Sequence, residues 1–114
     1  MKKHSLLLLL LISALSMAAC GSREATFEAV VLGVSAEDHW CMVEPVEGSQ
    51  ELDSADRIEI NLYNDLPATV AYDIAHEAKV GDTVEITYNG EIMETYPAQL
   101  GDVYNIKIVE TAEE

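Results

Sequence analysis

The sequence predicts an all-β domain with one short helix, preceded by a lipoprotein signal peptide. Three observations lead to this prediction. Apolar and polar residues alternate with a period of two in several short segments, which is typical of strands with one buried face. Only one segment places its apolar residues at helical spacing. The chain begins with charged, apolar and small residues in the order of a signal peptide, and this order ends at a cysteine.

The N-terminal segment predicts cleavage and membrane attachment. A positively charged start precedes an apolar run at residues 5–15, which is too short to cross a bilayer core of about 30 Å. Small residues then lead to Cys20. We expect cleavage to remove residues 1–19 and Cys20 to carry the lipid, with acyl chains such as palmitate. Residues 20–25 then tether an extracytoplasmic domain to the cell membrane.

The cysteine count leaves one alternative open. Met17 stands three residues before Cys20, where leucine is usual in a lipoprotein signal. Cleavage by an ordinary signal peptidase at or near the same place would leave Cys20 free to form a disulfide with Cys41. If Cys20 instead carries the lipid, Cys41 has no partner in the mature chain.

The mature chain is strongly acidic. The whole sequence has 21 Asp and Glu against six Lys and Arg, a formal net charge of −15. Loss of residues 1–19 removes Lys2 and Lys3, which leaves 95 residues with a net charge of −17. This charge repels phosphate backbones, so we expect no nucleic-acid partner, and it favours a cationic or protein partner in the envelope. The length predicts one domain, residues 26–110, followed by an acidic tail, residues 111–114.

Alternation predicts six short strands, of which the fifth is the return strand of a hairpin. In the first strand, Gly33 marks a bend or bulge. Asn89-Gly90 follows the fourth strand directly and is a strong signal for a tight hairpin. In the last strand, alternation predicts that Tyr104 and Ile106 face the core. The predicted strands are residues 26–35, 40–45, 57–62, 83–88, 91–95 and 103–110.

One segment differs from the others. Val70, Ile74 and Ala78 have helical spacing after Pro67, a residue that suits the start of a helix. We predict a short helix over residues 68–79, and because the segment is short and contains β-branched residues, a strand is the alternative. Strands, then a helix, then a hairpin and a closing strand is the order of a small OB-fold-like barrel with five to six strands, which is the fold that we predict.

Two stretches in the C-terminal half resemble a known family. Residues 79–84 read KVGDTV, and residues 90–99 read GEIMETYPAQ. They are similar to a turn and a signature found in small bacterial lipoproteins that are often called YobA-like. The resemblance implies an OB-like barrel and a lipid anchor, and it implies no activity. In physical terms, Tyr96 and Pro97 should hold the hairpin to the barrel, with a ligand-contacting loop as the alternative.

The sequence contains no motif for catalysis, so we expect no enzymatic activity and no cofactor. Cys41 alternates with Val43 on an apolar strand face, which predicts a buried and unreactive thiol. A metal site is the alternative, because His39 and Cys41 are two residues apart and would point the same way from a strand. His76 is a third candidate ligand, and the set is incomplete for zinc or copper.

The aromatic residues are candidates for ligand contacts. Without Lys or Arg beside them, they suit sugars or peptides better than oligonucleotides. Trp40 is on the opposite side of its strand from Cys41, and Tyr96 and Gln99 of the signature are the other candidates. We therefore predict a membrane-anchored extracytoplasmic lipoprotein that acts as a non-enzymatic binding or envelope-associated accessory module. The alternative is a metal-binding or redox lipoprotein that uses Cys41 and His39.

Overall fold

A computed structural model of the protein describes residues 24–62 and 66–112. The predicted signal peptide, Cys20 and the first part of the tether lie outside these residues, as do residues 113–114 of the predicted acidic tail. Among the described residues, no helix is both long enough and apolar enough to cross a membrane.

The described residues form a mostly β structure with seven strands and two short helices. In chain order these are β1 (Ala25–Ser35), β2 (Trp40–Pro45), α1 (Gln50–Ser54), β3 (Ile58–Asn61), α2 (Ala68–Glu77), β4 (Thr83–Tyr88), β5 (Ile92–Met93), β6 (Ala98–Leu100) and β7 (Val103–Glu110). The strands belong to one sheet in the order β5-β6-β3-β2-β1-β4-β7. This composition agrees with the predicted all-β class, and α2 confirms a helix rather than a strand within residues 68–79.

Strand β1 has 11 residues and pairs with two other strands. Its N-terminal half pairs antiparallel with β4 and its C-terminal half pairs antiparallel with β2, while Ala29 and Val30 pair with both. The register with β2 shifts between Val31 and Gly33, so the bulge predicted near Gly33 is confirmed. A bulge bends a strand and increases its twist, which helps β1 to continue from one partner to the next.

A short piece of chain connects strands that lie toward opposite ends of the strand order. Strand β6 pairs with β3 in the parallel direction, with Glu59 opposite Gln99. Strand β7 pairs antiparallel with β4, toward the opposite end of the strand order. Only Gly101 and Asp102 separate β6 from β7. One nearly continuous segment therefore contacts both β3 and β4.

The core consists of alternate residues of the strands together with one face of helix α2. On β3, Ile58 and Ile60 are buried, and the helix contributes Ala71 and Ile74. Burying a side chain of the size of isoleucine contributes about 1.5–3 kcal/mol to folding. The largest fully buried side chains are Ile58, Ile60, Leu62, Ile74, Ile86, Val31, Val43, Val84 and Cys41.

The prediction of a hairpin at Asn89-Gly90 is wrong, because the strand that follows Gly90 does not pair with β4. Strand β4 already has β1 on one edge and β7 on the other, so no edge is left for the chain that follows Gly90. That chain forms β5, which pairs with β6. Gly90 has a φ of 88°, but Asn89 lacks the positive φ that the tight hairpin turn requires. The backbone N–H of Asn89 instead donates to the carbonyl oxygen of Asp102 at 2.9 Å.

The alternation predicted for the last strand is also interrupted. Val103 and Asn105 lie opposite neighbouring residues of β4, so Tyr104 is the extra residue of a bulge. The bulge changes which side chains face the core. Val103 and Ile106 are buried, whereas Tyr104 is 42% exposed. The expectation that Tyr104 faces the core is therefore wrong.

Helix α1 has five residues, and the sequence pattern does not predict it. It brings the Glu51 side chain into a buried position, where the Tyr88 hydroxyl donates to Oε2 of Glu51 at 2.8 Å. The Tyr88 ring packs edge to face against Phe27, with 5.5 Å between the ring centroids. Burial raises the pKa of the Tyr88 hydroxyl, and the hydrogen bond to Glu51 raises that pKa further. The buried carboxylate thus has a hydrogen-bond partner, as buried polar groups generally do.

Asp82, in the KVGDTV stretch, connects two distant parts of the chain. Its side chain is 2% exposed. The backbone N–H of Lys79 donates to Oδ2 at 2.9 Å, and that of Ala112 donates to Oδ1 at 2.7 Å. Hydrogen bonds to an ionised acceptor are stronger than those between neutral groups. Asp82 therefore ties the loop after α2 to the segment that follows β7.

We predict that Asp82→Ala lowers the free energy of unfolding by about 2–3 kcal/mol, because two backbone N–H groups lose a charged acceptor. Urea unfolding followed by tryptophan fluorescence measures this change. Asp56→Ala, at an exposed position, is the control and should change stability by less than about 0.5 kcal/mol. A loss for Asp82→Ala as small as that of the control would show that Asp82 does not hold these segments together.

Candidate functional site

One row of residues crosses the outer face of the sheet. The strand registers place its members opposite one another in turn across β1, β2, β3, β6 and β5. Residues directly opposite each other share a face, and on β2, β3 and β6 the residues on either side of the row along the strand are buried. Five strands thus contribute one residue each to a continuous line. This set, which we call the outer row, is Gly33, Met42, Glu59, Gln99 and Met93.

The outer row combines thioether, carboxylate and amide groups. Met42 and Glu59 are half-buried, whereas Gln99 and Met93 are exposed. Methionine side chains are flexible and polarizable, which suits a surface that adapts to the shape of a ligand. Glu59 and Gln99 lie beside each other on parallel strands, so an acceptor and a donor–acceptor group face solvent together.

Trp40 lies in the next line of residues on the same face. It pairs with Ser35 on β1 and with Asn61 on β3. The six-membered part of its indole ring lies against Gly33, since a Cβ at position 33 would be 3.4 Å from Cζ3 of Trp40. The glycine therefore lets the indole pack close to the backbone of β1. Trp40 is half-buried in this position, beside the outer row.

A cleft of about 300 Å³ adjoins the outer row. It lies between the end of β3 and the turn that joins β6 to β7. Its polar side chains are two carboxylates and two amides, and no basic residue is among the described residues that line it. The lining residues are Glu59, Ile60, Asn61, Met93, Gln99, Leu100, Gly101, Asp102 and Val103.

Tyr96 does not hold the hairpin to the sheet, and this structural expectation is wrong. Its side chain is 82% exposed. The loop between β5 and β6 is held instead by Thr95, whose backbone N–H donates to Met93 O at 2.9 Å and whose hydroxyl donates to Pro97 O at 2.8 Å. The alternative, a ligand-contacting loop, stays a prediction. The loop begins directly after Met93 and ends two residues before Gln99, both members of the outer row.

The three candidate metal ligands do not come together. Cys41 is fully buried in the core, where burial raises the pKa of its thiol to about 12. His39 lies in the turn before β2 with a φ of 64°, so the strand geometry assumed for His39 and Cys41 is wrong. His39 and His76 line one cavity, and Cys41 is not among its lining residues. Within residues 24–62 and 66–112, no three His, Cys, Asp or Glu side chains form a group that could hold a metal ion.

The sequence predicts Trp40 and Gln99 as ligand contacts, but it does not predict their neighbours on this face, Glu59 and Asn61. Glu59 and Asn61 are on the polar face of an alternating segment, a signal that the sequence does contain. No sequence signal reveals that β3 pairs in parallel with β6, which places Glu59 beside Gln99. The composition of the face therefore depends on a pairing between residues about 40 positions apart.

Comparison with known proteins gives no relative. No protein-family model matches the chain, and neither a curated protein nor a solved structure does. The similarity of residues 79–84 and 90–99 to YobA-like lipoproteins stays a prediction from the sequence.

We predict that a thiol reagent labels Cys41 at least about a hundredfold more slowly in the native protein than in denaturant at pH 8, because the thiolate is the reactive form and burial suppresses it. Mass spectrometry of quenched samples measures the rate. A Ser35→Cys variant, in which the new thiol is half-buried at the end of β1, provides the control for reagent access. Native labelling of Cys41 as fast as that of the control would overturn the assignment of Cys41 as a structural thiol.

Proposed function

We propose that the chain is a lipid-anchored, extracytoplasmic, non-enzymatic binding module whose ligand site is the outer row, Trp40 and the adjoining cleft. The observation that carries this proposal is the continuous line of solvent-facing Met, Glu and Gln side chains beside a half-buried tryptophan. Binding sites typically combine apolar or aromatic surface with a few polar groups held on rigid elements. The burial of Cys41 argues against the alternative of a metal or redox centre that uses this thiol.

We also infer that the sheet closes into an OB-like barrel. Support comes from β6 and β7, which are separated by only two residues. Strand β6 lies beside β3 and β7 lies beside β4, toward opposite ends of the strand order. The parallel pairing of β3 with the start of this segment, and the helix between β3 and β4, are also features of that topology. In barrels of this kind the ligand face includes the second and third strands, which here carry Trp40, Met42, Glu59 and Asn61.

The ligand that we propose is an oligosaccharide without anionic groups. The only charged side chains among the described residues of the cleft lining are Glu59 and Asp102, so a phosphate or carboxylate on the ligand would be repelled. Sugar hydroxyls donate to carboxylates and both donate to and accept from the amides of Asn61 and Gln99. The apolar face of a sugar ring can pack on an aromatic side chain, which Trp40 and the exposed Tyr96 supply.

Anchoring through Cys20 is consistent with access to this face. Four residues separate Cys20 from Ala25 at the start of β1, so the distance between the two Cα atoms is at most about 18 Å when the chain is fully extended. The domain would therefore sit close to the bilayer with the start of β1 nearest to it. Strand β1 then runs for 11 residues, about 35 Å if straight, before the turn that precedes Trp40. Under this proposal, Trp40 lies toward the end of the domain that faces away from the membrane.

We predict that Cys20→Ala abolishes lipid attachment and leaves the precursor uncleaved or the domain released from the membrane. Detergent phase partitioning and mass spectrometry of the N-terminus measure both outcomes. Cys41→Ala is the matched control, because it removes the other cysteine and should leave partitioning unchanged. A processed Cys20→Ala protein that still partitions with detergent would contradict the anchoring proposal.

The ligand proposal is tested with the mature chain carrying Cys20→Ser, so that no lipid is present. Amide chemical shifts are recorded during titration with neutral tetrasaccharides of N-acetylglucosamine, glucose and mannose, and with anionic tetragalacturonate. We expect at least one neutral tetrasaccharide to shift the amides of the outer row and of Asn61, and tetragalacturonate to bind at least about tenfold more weakly, which corresponds to about 1.4 kcal/mol.

Variants assign the binding to the proposed face. Gln99→Ala and Trp40→Ala should each weaken binding of the tetrasaccharide by about tenfold, as expected for residues at the centre of an interface. Tyr104→Ala, an exposed aromatic residue on β7, is the control and should bind as the parent does. The proposal fails if no neutral tetrasaccharide binds, if the anionic one binds as tightly, or if Gln99→Ala has no more effect than Tyr104→Ala.

A further inference from the structure

A second cavity, of about 410 Å³, lies apart from the outer row. It is bounded by the turn between β1 and β2, by the end of β3 and by one side of helix α2. None of the described residues that line it belongs to the outer row or to the cleft beside it. The described residues that line it are Ala36, His39, Leu62, Leu66, Ala68, Ala71, Tyr72, Ala75 and His76.

The wall of this cavity differs in charge from the rest of the chain. The sequence has 21 Asp and Glu residues, yet none of the described residues in the wall is acidic. Leucines and alanines make up most of these described residues, and the polar side chains among them are those of His39, Tyr72 and His76. A cation in the cavity would find no carboxylate among these residues, and an anion would be repelled by the net charge of the domain. The wall therefore suits a neutral, largely apolar molecule.

His76 provides a hydrogen-bond acceptor, Nε2 of its imidazole ring. Its Nδ1 is 2.9 Å from the backbone carbonyl oxygen of Tyr72. Because a carbonyl oxygen only accepts, Nδ1 carries the proton in this contact. In the neutral imidazole, Nε2 then has a lone pair and acts as an acceptor. The Tyr72 ring stacks on the imidazole, with centroids 4.0 Å apart and planes at 23°, so the orientation of the imidazole is fixed by two contacts.

We propose that this cavity binds a small neutral aromatic molecule that carries one N–H or O–H donor, with the donor directed to Nε2 of His76. The size fits such a ligand, because an apolar cavity of about 150 Å³ is known to hold a single benzene ring. A cavity of about 410 Å³ therefore accommodates a two-ring molecule of the indole type. The small alanine side chains of α2 leave the space for the two rings of the ligand, and the leucine side chains pack against the faces of these rings. This site is independent of the oligosaccharide site proposed above.

Indole and 1-methylindole are a matched pair of probes, because methylation removes the N–H donor and keeps the two rings. Each is titrated into the mature chain carrying Cys20→Ser, and amide chemical shifts are followed. We expect indole to shift amides of α2 and of residues 36–39, and to bind about fivefold more tightly than 1-methylindole, the gain expected from one hydrogen bond. Equal affinities for the two probes, or shifts confined to other surfaces, would overturn the proposal.

One variant tests whether binding depends on the space in the cavity, and another, described in the next paragraph, tests the hydrogen bond. Ala75→Leu fills the cavity from a half-buried position on α2 and should weaken binding of both probes at least about tenfold. Thr69→Leu, at an exposed position of α2 outside the lining, is the control and should leave both affinities unchanged.

His76→Phe keeps a ring to stack on Tyr72 and removes the acceptor. It should lower the affinity for indole to that for 1-methylindole and leave binding of 1-methylindole unchanged. If indole binds His76→Phe as tightly as it binds the parent, the assigned role of Nε2 is wrong. This comparison holds even if Ala75→Leu does not fold.

Discussion

Strand β1 organises the described part of the protein because two strands pair along different parts of it. Its first half pairs with β4 and its second half with β2, and the bulge between Val31 and Gly33 bends it between the two. A Gly at the bulge also makes room for the indole of Trp40 on the outer face. The same short stretch therefore sets the curvature of the sheet and the position of the aromatic side chain at the proposed ligand site.

The outer face joins a strongly held part of the sheet to a weakly held part. Trp40, Met42 and Glu59 belong to strands with long antiparallel registers and fully buried inner faces. Met93 and Gln99 belong to β5 and β6, which pair with each other over two positions, and only β6 pairs with β3, again over two positions. Binding residues on a frame of unequal stability are common, because a ligand can order the weaker part while the stronger part stays fixed.

Sequence pattern predicts those features that depend on near neighbours. The strands that alternate cleanly, the bulge near Gly33, the helix over α2 and the burial of Cys41 follow from periodicity and local conformational preference. Errors arise where a distant partner decides the outcome. Asn89-Gly90 cannot form the predicted hairpin because β7 occupies the edge of β4, and Tyr104 leaves the core because that same pairing contains a bulge. The exposure of Tyr96 has a local cause instead, because hydrogen bonds from Thr95 to the carbonyl oxygens of Met93 and Pro97 hold the loop.

Hydrogen exchange of backbone amides in the native protein measures the local stability of each strand. It therefore tests whether β1 is the most stable strand of the sheet and whether the β5–β6 hairpin is the least stable part. If so, amides in the part of β1 that pairs with both β2 and β4, at Ala29 and Val30, should exchange with the free energy of global unfolding. Amides of β5 and β6 should exchange at least about a hundredfold faster, through local opening. Exchange of β5 and β6 as slow as that of β1, or fast exchange throughout β1, would contradict this view of the protein.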